Sequence, residues 1–149
     1  MGGILLALSM LFIAKFYTKI LNIKYFFRIS LFVEIVMLLM ILFFLIVSYS
    51  YTTALLIYIG YQVTFSFGSY LVRAETILFK KSMILTFLDV NKQKGYLAGM
   101  FVAFVFYEAL EYFYEITSSQ DQVFYLHILL FLLECLILYK LFRSFKLYR

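Results

Sequence analysis

Positive charge in this 149-residue chain is confined to three stretches, Lys15–Arg28, Arg73–Lys94 and Lys140–Arg149. Residues 29–72 and 95–139 contain no Lys or Arg. A membrane-spanning helix takes about 20 residues at 1.5 Å rise, so each cation-free gap holds two spans and a tight turn. Positive residues collect on the cytoplasmic side of a membrane. The three clusters therefore mark one side, and the gaps are helical hairpins reaching to the other. Few arrangements other than an all-α bundle of spanning helices satisfy that pattern.

The composition agrees. A soluble fold of this length needs a charged shell of about 25% Asp, Glu, Lys and Arg, whereas 14% of this chain is charged and 66% is hydrophobic. The net charge of +5 sits at the expected helix ends, where it sets topology and meets lipid headgroups. Nucleic acid is not an expected partner; the lipid bilayer is. Cys135 is the single cysteine, which excludes an internal disulfide and a Cys-rich metal site. With no Trp and no Pro, the 14 Tyr and 19 Phe must anchor the interfaces.

Along the chain, spans are expected at about 2–20, 29–48, 54–72, 95–114 and 123–141, in one transmembrane domain covering residues 1–149. The first is short and relies on Lys15 and Lys19 to snorkel. The segment 73–94 is too charged to span, and Ile77, Ile84, Leu85 and Leu88 recur at helical spacing, so it is expected as an amphipathic helix at the interface. Uncharged Tyr49–Thr53 and acidic Glu115–Gln122 form the two far turns. The N-terminus then lies outside and the C-terminus is cytoplasmic.

Five spans in this order resemble helices two to six of a major facilitator superfamily transporter. The basic stretches Lys15–Arg28, Arg73–Lys94 and Lys140–Arg149 match that family's cytoplasmic loop two–three, its four–five passage and its central linker. RAETILFKKSMILTFLDVNKQKGYLAGM, residues 73–100, is similar to the four–five passage of some bacterial members. The family's loop usually reads close to G-x-L-A-D-R-x-G-R-K, and AKFYTKILNIKYF keeps only its charges, at Lys19 and Lys24. The resemblance implies secondary transport of a small solute, a bacterial inner-membrane location, and missing transporter segments or a second copy as partners. It also implies a truncated or split product. The competing expectations are a small membrane scaffold or accessory subunit without transport of its own, and a nonfunctional remnant.

Ionisable groups inside a membrane mark functional candidates, because a charge in hydrocarbon costs several kcal/mol. Glu134 lies deepest, either as a proton- or cation-binding carboxylate or as a neutral side chain bonded to a neighbour such as Gln62. Glu34 is either a further pathway-lining or proton-coupling carboxylate or pairs with Arg28 or a loop lysine. Tyr58, Tyr61 and Gln62, on the most polar span, complete the expected pathway lining. Glu108, Glu111 and Glu115 share one helical face, either as a cation-attracting vestibule or as a solvated acidic surface. His127 either bonds to Glu108 or Glu111 across a helix pair, as a pH-sensitive contact, or makes a plain buried hydrogen bond, the more ordinary account. Gly95, Gly99 and Ala103 form a small-xxx-small ladder for close helix packing, and Gly60 with Gly68 suggests the same. There is no Walker-type loop, no G-x-S-x-G and no H-E-x-x-H. No enzyme activity, cofactor or metal site is expected.

Overall fold

The computed structural model describes residues 2–47 and 51–146. Ser48, Tyr49, Ser50 and the tail 147–149, which include part of one expected turn and the last basic residue, lie outside the described residues. Among the described residues the fold is all-α, with α1 Gly2–Lys15, α2 Tyr17–Ile20, α3 Ile23–Ile46, α4 Tyr51–Phe79, α5 Ser82–Tyr114 and α6 Ser119–Lys146. Four of them, α3 to α6, are long and apolar enough to cross a membrane. That is the architecture of a multi-pass membrane protein. At 1.5 Å per residue these four run from about 36 to 50 Å, against a hydrocarbon core of about 30 Å. Their charged ends therefore stand beyond the core. The turns carrying Lys80–Lys81 and Asn22 make the basic end of the bundle, and the Glu115–Ser118 turn makes the acidic end.

Two expectations change. The first span does not extend as one helix to Ile20. It stops at Lys15, breaks at Phe16 (φ −95°, ψ 1°) and resumes for the single turn of α2. At 14 residues, α1 is about 21 Å long. The expected interfacial helix at 73–94 is not a separate element either: residues 73–79 finish α4, and residues 82–94 begin α5. No Pro interrupts this stretch, and an isolated glycine such as Gly95 costs a helix only about 1 kcal/mol. The charged turns therefore extend the spans. Lys80, in the left-handed region at φ 48°, makes the break instead.

Side chains fix the entry into α3. Asn22 is its N-cap, with Oδ1 accepting from the Tyr25 N–H at 3.1 Å and Nδ2 donating to the Lys19 carbonyl at 3.0 Å. Tyr70 of α4 is fully buried between Ile13 and Ala74, and its hydroxyl donates to the Ile20 carbonyl at 2.8 Å. That carbonyl, freed where α2 ends, also accepts the Asn22 N–H at 2.8 Å. Higher on the same helix pair, Ser9 and Ser66 bring their hydroxyls to 2.6 Å. These contacts seat α1 and α2 against α4.

α3 is the centre of the bundle and packs on α4 and α6. Against α4, Phe32 meets Phe67 edge-on at 5.6 Å, and Gly60 is buried under Met40. A Cβ at Gly60 would overlap the Met40 side chain, so any other residue there requires Met40 to move. Gly68 has open space around it. α5 stands apart, touching α4 and α6 only sparsely. Lys92 pairs with Glu75 of α4 at the basic end. At the acidic end the chain turns through Glu115 in the left-handed conformation (φ 55°), and the Ile116 N–H bonds the Leu110 carbonyl at 3.2 Å.

Candidate functional site

The antiparallel seam between α3 and α6 is built in three layers. At the basic end, Phe27 packs on Phe145 with centroids 4.3 Å apart and on Phe142 at 6.3 Å, while Phe26 reaches Phe145 at 6.4 Å. At the acidic end, Phe44 stacks on His127 at 4.0 Å and 28°. Between the rings lies the middle layer, where the carboxyl groups of Glu34 and Glu134 meet side chain to side chain. Helical rise places each ring layer about 10–15 Å from the carboxyl pair.

The α3 sequence explains this placement. Phe27, Glu34 and Ile41 recur every seven residues, close to two full turns, and so share one face. On α6, His127 and Glu134 are spaced by the same interval. Glu34 sits at the midpoint of α3, and Glu134 lies near that of α6. Glu134 is 7% exposed, and its Oε1 is buried without a hydrogen-bond partner. Two carboxyl groups with no cation between them repel if both are charged, and in hydrocarbon that repulsion is poorly screened. One proton shared between them removes it.

Not every expected pathway residue joins this site. Gln62 stands one turn from Ser66, which touches Ser9 of α1, so helical spacing puts Gln62 on the α1 side of α4. Its buried Oε1 also lacks a partner. The alternative of a Glu134–Gln62 bond gives way to Glu134–Glu34. Tyr58 and Tyr61 are exposed on the bundle surface. Glu34 does not pair with Arg28, whose guanidinium lies 5.9 Å from the Tyr25 ring. The one ion pair among the described residues is Lys92–Glu75.

His127 makes the plain hydrogen bond of the two alternatives, not the bond to a carboxylate across a helix pair. Its Nδ1 lies 2.7 Å from the Val123 carbonyl on its own helix rather than bonding to Glu108 or Glu111. A carbonyl only accepts, so Nδ1 carries the hydrogen and Nε2 keeps a lone pair in the neutral ring. Glu108, Glu111 and Glu115 are exposed at the acidic end. Among the described residues nothing lies within 4 Å of a Cβ added at Gly95 or Gly99, while Ala103 is half-buried. Cys135 is free and exposed, beside Glu134 but on another face.

Sequence reasoning recognised both carboxylates but not their pairing, and it missed the aromatic layers. A signal for the layers existed in the seven-residue spacing on each helix. No family model, curated protein or solved structure matches the chain.

Proposed function

We propose that the chain acts in secondary transport of a small solute, as part of a transporter resembling the first half of a major facilitator, with the Glu34–Glu134 pair as its proton-exchanging centre. The observation that carries this reading is a carboxyl pair at mid-helix, held in a helix–helix seam and unneutralised by any Lys or Arg. Such groups are costly in a membrane and mark ion pathways and proton relays. In this mechanism the pair holds one proton while the seam is closed and releases it when the helices part. α3 is placed to transmit that motion, because it packs on both α4 and α6.

The experiment is a pH jump on the protein reconstituted into liposomes adsorbed to a solid-supported membrane. The wild type is expected to give a transient charge displacement, and Glu134→Gln to abolish it while keeping its thermal unfolding profile. A silent wild type, or an unchanged Glu134→Gln signal, contradicts the proposal.

One observation favours the second reading, an accessory subunit. α5 leaves Gly95 and Gly99 open to the surroundings, as a helix awaiting a partner does. In that case the pH jump is silent, and Gly99→Leu changes the assembly's mass in native mass spectrometry.

A further inference from the structure

We infer that protons reach the Glu34–Glu134 pair from the acidic end of the bundle, through the Phe44–His127 layer, with His127 as the positioning residue that passes them inward. The inference rests on the proton-exchange reading above and adds a direction and a further residue to it.

The argument is the chemical asymmetry of the two layers that close the seam. Each lies about two to three helical turns from the carboxyls, so distance does not choose between them. The layer at the basic end consists of Phe26, Phe27, Phe142 and Phe145, rings that neither bind nor release a proton. The layer at the acidic end contains an imidazole. The bond from its Nδ1 to Val123 and its stack on Phe44 hold that ring in place. The nitrogen left unbonded by Val123, Nε2, is the one able to take up a proton. His127 and Glu134, seven residues apart, lie on the same helical face.

Ile41, 7% exposed, lies on α3 between Glu34 and Phe44, and Leu130 and Phe131 occupy the turn between His127 and Glu134. A proton crosses this apolar layer only when the seam loosens enough to admit water.

The charged surroundings favour the same end. α5, which meets α6 there, contributes Glu108 and Glu111, Glu115 caps its end, and α6 carries Asp121 in its first turn. Toward this end the other titratable groups are Tyr51, Tyr58 and Tyr61 on α4, Tyr107, Tyr112 and Tyr114 on α5 and Tyr125 on α6, none of them a cation, and α3 contributes only Glu34. α1 has no charged residue before Lys15, at the basic end. Protons approaching from the acidic end meet carboxylates, whereas those approaching from the basic end meet Arg28, Lys140 and Arg143. Cations are repelled there.

The test uses dicyclohexylcarbodiimide, which adds to protonated carboxyl groups in apolar sites, on the full chain in sealed membrane vesicles of both orientations. The pH is varied on one side while the other is buffered, and the Glu134 adduct is quantified by mass spectrometry. The expected result is a labelling rate that follows the pH on the side of the Glu115–Gln122 turn. In His127→Phe, which keeps a ring stacked on Phe44, that response is expected to slow at least about tenfold. Phe27→Ala is expected to leave it on the same side. Labelling that follows the pH at the basic end overturns the inference and leaves the proton-exchange reading standing. A His127→Phe protein indistinguishable from wild type overturns the role of His127. No adduct at any pH on either side overturns the proton-exchange reading itself.

Discussion

At the scale of single residues, the bundle depends on a few buried polar contacts in otherwise apolar surroundings. Tyr70 is the clearest, because its ring fills the junction of α1, α2 and α4 while its hydroxyl caps the Ile20 carbonyl. Tyr70→Phe keeps the ring but removes one of the two hydrogen bonds to that carbonyl, which still accepts the Asn22 N–H, and is expected to lower stability by about 1 kcal/mol in a thermal unfolding assay in detergent. No change would mean that the Asn22 N–H alone satisfies the carbonyl. The depth of Glu134 was legible from its place within an apolar run. Its partner was not, because the facing residue depends on which helices adjoin α3, and nothing local in the chain encodes that. The same reason explains His127, whose ring is placed by Phe44, a residue 83 positions away by numbering. Gly60 was legible as a small residue at an interface, but only the packing of Met40 separates it from Gly68.

At the scale of elements, the positions of the long helices were legible and some of their boundaries were not. Charge together with the helical spacing of Ile77, Ile84, Leu85 and Leu88 argued for an amphipathic helix at the interface over residues 73–94. The backbone has no reason to stop there, and the segment became the ends of two long helices. The breaks fall where two non-glycine residues adopt left-handed backbone, Lys80 and Glu115. That conformation costs an L-residue about 1–2 kcal/mol, so Glu115→Gly is expected to stabilise the α5–α6 turn by about 1 kcal/mol. Equilibrium unfolding followed by circular dichroism measures it, and a destabilised variant would show that the Glu115 side chain matters more than its backbone. α5 supports a second prediction. A Cβ at Gly95 or Gly99 has open space around it, so a leucine variant at either position is expected to unfold within about 0.5 kcal/mol of wild type. A larger loss in a protein that is monomeric by native mass spectrometry would mean that α5 packs more closely on the bundle.

At the scale of the whole molecule, charge distribution and packing describe the same object: a bundle whose basic turns all face one way, with α3 at its centre. In intact cells carrying the Cys135→Ala protein, cysteines at Ser82 and Ser144 are expected to be labelled together from one side of the membrane, and Ser118 from the other. Labelling of Ser82 and Ser118 from the same side would break the hairpin that α5 forms across the membrane. The central claim, that α3 and α6 are antiparallel partners enclosing the two carboxylates, is tested most directly by disulfide trapping. Cysteine pairs would replace Phe44 with His127, Glu34 with Glu134, and Phe27 with Phe145, each in the Cys135→Ala background. The account predicts an intramolecular cross-link on mild oxidation for each of the three pairs, and none for a mismatched pair such as Phe44 with Phe145. A cross-link in the mismatched pair, or none at Glu34–Glu134, would contradict it.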